Sequence, residues 1–261
     1  MSGVEIQQKV FEDIYDVSNR EQWEFHDTSN SVIRYLRDRR IRIGIDHVMK
    51  VSRSSPQDWS ALVVCGGVGG EGTLLANLGF RSVTVSDFSQ NALEICKLRD
   101  PRLKTIALNA EALDVPDHSY DLVLVQDGLH HLPRPVLGYT EMLRVARRAV
   151  VVIEPHAGIA GTLLGTTWEK HGDEVNYVFR WDQRLLREAA LSYLLDSSCY
   201  IKAIRLWDHN SIIARVVRGF GSGRAGVIVS KLIYRAMNLP FWWLGNNMVG
   251  VVVKGGNGPG K

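Results

Sequence analysis

The sequence predicts an α/β protein built on a doubly wound, mostly parallel sheet, and three observations carry that prediction. Between Ser60 and Pro155, short runs rich in β-branched residues alternate with helical segments: SALVVC, TLLANLG, SVTVS, QNALEICKLR, KTIAL, DLVLVQ, VLGYTEMLRVARR and AVVVIEP. The strand-like runs are apolar throughout, as strands covered by helices on both faces are. The first of them, ALVVC, breaks into the glycine cluster GGVGGEG before a helical pattern resumes. In such a sheet that turn lies at the carboxyl end of a strand, where glycines let the backbone approach a ligand closely.

Taken in order, residues from about Val4 to Val51 carry helical spacing in several pieces, with Val32, Leu36 and Ile43 set among charges. The turn signals of SSPQDW (Ser54 to Trp59) separate this prelude from the first strand. Five strands and their helices follow up to Pro155. Beyond it the rhythm changes to longer helical stretches, near Gln183–Leu195 and Gly226–Asn238, with two late strands near Cys199–Trp207 and Val249–Val253. The expected organisation is one domain with a seven-stranded sheet: a helical cap over 1–58, a core over 59–156, a lid with late helices and strands over 157–254, and a mobile tail from 255 to 261.

The 261 residues, 45% apolar and 23% charged, suit a single packed core. The opening MSGVEIQQKV lacks the basic-then-apolar order of a signal peptide, and no uncharged apolar stretch reaches about 18 residues, so a cytoplasmic location is expected. Three cysteines, Cys65, Cys96 and Cys199, show no paired spacing and read as small apolar residues. The net charge of +3 is unevenly spread: Ile201 to Lys261 holds nine Lys or Arg against one acid, Asp208, and RYLRDRRIRIG is a second basic stretch. Such runs are usually solvated faces, although an anionic or lipid-linked acceptor would also suit them.

A glycine-rich turn alone fits several nucleotide cofactors. The second strand, SVTVS, ends at Asp87, seventeen residues after Gly70. A carboxylate there can accept hydrogen bonds from both hydroxyls of an adenosine ribose; its alternative role is to cap the helix FSQNALEI, for which Ser89 is an equal candidate. The next stretch is NAEALDVPDHSYDLVLVQDGLHHLP. With the glycine turn and Asp87, its acidic and proline turn, Ser-aromatic-Asp, apolar strand and L-H-H-L resemble the class I S-adenosylmethionine-dependent methyltransferases, in particular the small-molecule group, over about Ser60 to Pro155.

That resemblance implies a Rossmann-like methyltransferase fold and S-adenosylmethionine as cofactor. Gly66, Gly67 and Gly70 would line the turn, Asp87 and Phe88 the ribose, Asn109 and Ala110 the adenine, and Gln126 the methionine portion. Tyr15, on an N-terminal helix, matches a tyrosine that closes over the cofactor in related enzymes. The turn departs from the pattern at two places: Val64 stands where an acid is usual, and Val68 where the middle glycine is. A β-branched residue is poorly suited to positive φ, so any left-handed conformation must fall to Gly67 or Gly69.

Transfer to a hydroxyl needs alignment and removal of a proton, for which a histidine is the natural base. His130 and His131 follow the strand whose end should face the methyl group, and Glu154 and His156 stand at the end of the fifth. The candidate arrangements are His130 or His131 with Glu154, or His156 alone, with Asp127 a further base. A metal set of Asp127, His130, His131 and His156 matches no established spacing, so no metal is expected. The family resemblance puts an acceptor lid at Trp168–Arg184. The helix around AGVIVSKLIYRAMNLPFWW suits a core or a homodimer interface, or peripheral membrane contact through Trp242 and Trp243.

The expected function is therefore methyl transfer to a small-molecule, glycan or lipid-linked acceptor, at oxygen. Nucleic acid is disfavoured, because QDGL stands where amino-methyltransferases of DNA and RNA carry N/D-P-P-aromatic. The alternatives are a nicotinamide-dependent oxidoreductase, which leaves the NAEAL and SYDLVLVQDGLHHL stretches unexplained, and a non-catalytic cofactor-binding scaffold.

Overall fold

The computed structural model describes residues 31–171, 174–208 and 223–255, together with Glu5, Gln8, Lys9, Glu12, Asp13 and Tyr15. The EQWEFHD stretch and the tail beyond Gly255 lie outside the described residues. The elements are α1 (Ser31–Ser52), β1 (Ser60–Val64), α2 (Gly70–Asn77), β2 (Ser82–Asp87), α3 (Gln90–Arg99), β3 (Lys104–Ala107), β4 (Tyr120–Gln126), α4 (Pro135–Val145) and β5 (Ala146–Pro155). After these come α5 (Ile159–Leu164), β6 (Trp168–His171), β7 (Glu174–Tyr177), α6 (Gln183–Leu194), β8 (Tyr200–Leu206), α7 (Arg224–Phe241) and β9 (Asn247–Val253).

Seven strands form one sheet in the order β3-β2-β1-β4-β5-β9-β8. The first five are parallel, β9 runs antiparallel to β5, and β8 antiparallel to β9. The order reverses between β1 and β4, which puts the ends of these two strands at the switch point where open α/β sheets bind ligands. Ala61–Val64, Leu122–Val125 and Val150–Ile153 are all buried, which is why the sequence shows runs rather than alternation. Two apolar layers result. One packs α1, α2 and α3 against the sheet through Ile41, Ile45, Leu75 and Leu93, and the other packs α4 and α6 through Tyr139, Met142, Leu143 and Leu186.

The basic stretch RYLRDRRIRIG departs from its expected solvated role. Arg40 on α1 is buried, with its Nε 2.9 Å from Asp208 and its terminal nitrogens on both carboxylate oxygens of Asp127. Tyr234 of α7 donates its hydroxyl to Asp208 at 2.9 Å. Arg40 thus joins α1, the end of β4 and α7. The segment after β5 contributes one short helix, α5, and then the hairpin β6–β7 within the stretch expected to form the lid.

Candidate functional site

β1 ends in a turn whose geometry explains its odd residues. Gly67 (φ 47°) and Gly69 (φ 84°) take the left-handed conformations, and a Cβ on Gly69 would lie 2.3 Å from Cys96 Sγ. Val68 can therefore be β-branched: its side chain is buried with Tyr15, Ala92 and Ile95. Val64 belongs to the core beneath. Cys65 and Asp127, the residues that follow β1 and β4, also have positive φ of 52°, a backbone strain that non-glycine residues adopt sparingly and that clusters at functional sites. Neither position carries the glycine that would mark such a conformation.

Asp87 ends β2 as expected. Its Oδ2 accepts from the Gly67 N–H at 2.9 Å and its Oδ1 from the Ser89 N–H at 3.0 Å, so the carboxylate fixes the turn. Burial pushes the Asp87 carboxyl up, against the pull of those N–H groups. The helix cap is Ser89, whose side chain accepts from the Ala92 N–H. A residue that sequence reasoning passed over, Glu12, adds a second carboxylate to this helix start, accepting from Ser89 Oγ (2.9 Å), Gln90 N (2.8 Å) and Asn91 N (3.2 Å). Tyr15, three residues on, is buried, and its hydroxyl lies 3.0 Å from where a Cβ on Gly67 would stand. Glu12 and Tyr15 thus lie against the start of α3 and the glycine turn.

Asn109 is half-buried after β3, its Oδ1 accepting from the Glu111 N–H at 2.9 Å, and Ala110 is buried beside it. One lone pair of that amide oxygen is left for an adenine amino group. Gln126 ends β4, and its Nε2 donates to Glu71 Oε1 at 3.3 Å. Gln126 Oε1 is buried with no hydrogen-bond partner among the described residues. A close glycine cradle, a strand-end carboxylate and an unsatisfied buried acceptor fit an adenosyl-methionine ligand lying along the ends of β1, β2 and β4.

The histidines divide. His130 is 4% exposed, and its Nδ1 lies 2.6 Å from Glu154 Oε2. Glu154 is fully buried and also accepts from the N–H groups of Gly128 (3.0 Å), Leu129 (2.8 Å) and His130 (3.3 Å), so β5 holds the whole loop after β4. Burial opposes a charge on His130, but Glu154, with Glu169 and Asp127, outweighs it and pushes the imidazole up to about 10. The hairpin closes over the pair. Glu169 and Asn176 are register partners; Glu169 Oε2 lies 3.6 Å from His130 Nε2, and Asn176 Nδ2 lies 3.0 Å from His130 O and 3.2 Å from His131 Nδ1. The two imidazole centroids lie 4.1 Å apart, the rings tilted by 39° to each other.

His156 does not join them. Its Nδ1 faces Gly245 O at 3.2 Å, and burial lowers its pKa, so it is a neutral ring turned toward the segment before β9. Asp127 is likewise withdrawn as a base, because both its oxygens hold Arg40. With Asp127 and His156 so engaged, their metal set with the histidines does not form. Among the described residues, His130, His131 and Glu169 are the group whose ligand atoms come within 4.8 Å of one another. The ion contact between His130 and Glu169 accounts for that closeness.

Residues 62–153 match the family model described as Methyltransferase domain. With the seven-stranded sheet, this makes the core a class I S-adenosylmethionine-dependent methyltransferase domain, with S-adenosylmethionine as its cofactor. Among curated relatives, the demethylmenaquinone methyltransferase of Renibacterium salmoninarum is 32% identical over 123 residues, covering 47% of this chain and 49% of the relative. That of Bacillus licheniformis is 31% identical over 143 residues, covering 53% and 56%. The chain spans about half the length of these relatives. Two solved structures share the fold across almost the whole chain. A sarcosine dimethylglycine methyltransferase from Galdieria sulphuraria, so described as putative, aligns at TM-score 0.58 and 16% identity, covering 92% of this chain and 98% of its own. The plantazolicin methyltransferase BamL, solved with a triazolic desmethylPZN analogue and SAH, aligns at TM-score 0.58 and 12% identity, covering 97% of each chain.

Proposed function

We propose that this protein transfers a methyl group from S-adenosylmethionine to a hydroxyl of a small aromatic acceptor, with His130 as the group that takes the acceptor's proton. The bound cofactor supplies a methyl already activated on a sulfonium. The chain's own residues bind and orient: the glycine turn and Asp87 hold the adenosine, Asn109 and Ala110 flank the adenine, and the hairpin carrying Glu169 and Asn176 covers the acceptor side. Residues 59–156 serve as the cofactor half and 157–254 as the acceptor half.

The observation that carries the reading is the His130–Glu154 contact of 2.6 Å in a buried site. Glu154 and Glu169 hold the imidazole charged at neutral pH, so His130 takes the acceptor's proton only in the fraction of molecules, growing as pH rises toward about 10, in which Nε2 has given up its own. The relatives named for demethylmenaquinone support a quinone-type small molecule as the acceptor, the choice of oxygen resting on His130 alone. A sugar hydroxyl is more weakly acidic and less well served. We further infer that the exposed apolar face of α7 rests on an anionic membrane surface, which suits a lipid-soluble acceptor.

A screen of reduced quinones, phenols and glycans with labelled S-adenosylmethionine tests the acceptor. With the preferred acceptor, turnover should rise with pH through the range from about 7 to 10 as His130 loses its proton. His130→Ala should lower kcat by about 100-fold or more with little change in cofactor affinity. A rate that is flat across that range, with a fully active His130→Ala variant, rules out His130 as the base.

A further inference from the structure

We propose that Glu71 and Gln126 form the subsite for the α-ammonium group of the methyl donor, replacing the acid that Val64 does not supply; this rests on the site being an S-adenosylmethionine cradle. Val64 is 1% exposed and packs among Leu62, Val123 and Val125, and Val63 beside it is fully buried, so the end of β1 supplies no carboxylate to the site. The cofactor's methionine end nevertheless carries a cation that must be met somewhere.

Glu71 directly follows the last glycine of the turn and sits in the first turn of α2. Gln126 closes β4, one residue beyond Val125, which is the register partner of Val64. The two residues therefore flank the strand end that the missing acid would have occupied, and the 3.3 Å contact from Gln126 Nε2 to Glu71 Oε1 joins them. That contact fixes the amide with its oxygen turned away, and this Oε1 is buried without a donor among the described residues. An ammonium group brings three N–H donors and no acceptor, so separate donors can serve the Glu71 carboxylate and the Gln126 amide oxygen. A buried acceptor left unmatched is costly, so a ligand donor there is worth more than the same contact in water.

The electrostatics agree. Burial raises the Glu71 carboxyl and Asp127 adds to this, with Arg37 and Arg40 pulling the other way. A cation entering the site would relieve the first two. A plainer role is also available to Glu71, since an acid in the first turn of a helix complements the helix dipole. That role makes no distinction between ligands with and without an amino group, and the test turns on this difference.

The experiment is calorimetry with two probes, S-adenosylhomocysteine and its deamino analogue, in which hydrogen replaces the amino group. The wild-type protein should prefer S-adenosylhomocysteine by tenfold or more. Glu71→Gln and, separately, Gln126→Met should each erase most of that preference by weakening S-adenosylhomocysteine binding while leaving the deamino analogue's affinity unchanged, with thermal melts checking that each variant folds. If the wild type binds S-adenosylhomocysteine and both variants keep the full preference, the subsite is wrong and the cofactor assignment stands. If the wild type binds neither probe, the cofactor assignment itself fails, and the subsite with it.

Discussion

His130 is a histidine whose neighbours favour its charged form, and the consequence reaches beyond catalysis. An imidazole ordinarily titrates near about 6.5, whereas Glu154 and Glu169 push this one up to about 10. The folded protein therefore binds a proton there that the unfolded chain gives up. The stabilisation is fully present below about pH 6.5 and is lost as pH rises through about 10. Nitrogen NMR of the ring should show both nitrogens protonated at pH 8, and Glu154→Gln should return the ring to the neutral form at that pH. Thermal stability should fall more steeply from pH 7 to 10 in the wild type than in Glu154→Gln; equal slopes would mean that the pair is not charged. The variant also keeps the loop's N–H groups without their carboxylate, so some loss of stability at every pH is expected. The histidine pair and Glu154 were legible as candidates in the sequence, because each stands at a strand end. A pairing of Glu154 with one of the two histidines was legible as an alternative; which of them it is, and that His156 turns instead to Gly245, was not.

Among the elements, α1 shows why a charge run is a poor guide to exposure. RYLRDRRIRIG reads as a solvated face, yet a helix has an inward side, and on this one Arg40 enters between Asp127 and Asp208. Removing one partner of a buried ion pair leaves the other uncompensated, so Arg40→Ala should cost about 3–5 kcal/mol, measured by urea unfolding. A loss below about 1 kcal/mol would mark it as an ordinary surface charge. The same variant should loosen the backbone at Asp127, where φ is 52°, since the ion pair is what holds that carboxylate. The strands and helices of the core were legible because parallel strands leave continuous apolar runs; β9 is antiparallel but buried along its whole length and shows the same kind of run, whereas β8 carries Lys202 and Arg205 among its apolar residues. The hairpin β6–β7 was missed as a hairpin, because only its register brings Glu169 opposite Asn176 and both over the histidines. Glu71 was hidden differently. It is one residue past the turn, and its meaning depends on Gln126, fifty-five residues away in sequence.

For the molecule as a whole, the open question is what covers the outer face of α7. Its inner side is built for the protein: Ser230 and Tyr234 are buried, Tyr234 against Val32 and Leu36 of α1. Its outer side exposes Ile228, Leu232 and Leu239, the last at 78%, and the chain continues into Trp242 and Trp243, each about half exposed. Arg224, Lys231 and Arg235 are exposed along the same helix, and the sequence holds no Asp or Glu after Asp208. Exposed apolar groups flanked by cations, with tryptophans at one end, complement an anionic bilayer interface. Among the described residues no helix is long and apolar enough to cross a membrane, so contact would be peripheral. The Trp242–Leu244 turn packs against α5, whose Ile159 and Leu163 are also exposed, so the apolar surface extends onto that helix. The protein should co-sediment with vesicles containing anionic lipid at low salt, less with neutral vesicles, and less as salt rises and shortens the Debye length. Replacing Trp242 and Trp243 together with serine should abolish binding while leaving S-adenosylhomocysteine affinity intact. A second copy of the chain is the competing occupant: a stable dimer by sedimentation velocity, with no vesicle binding at any salt, would assign the face to self-association and remove the membrane from the account.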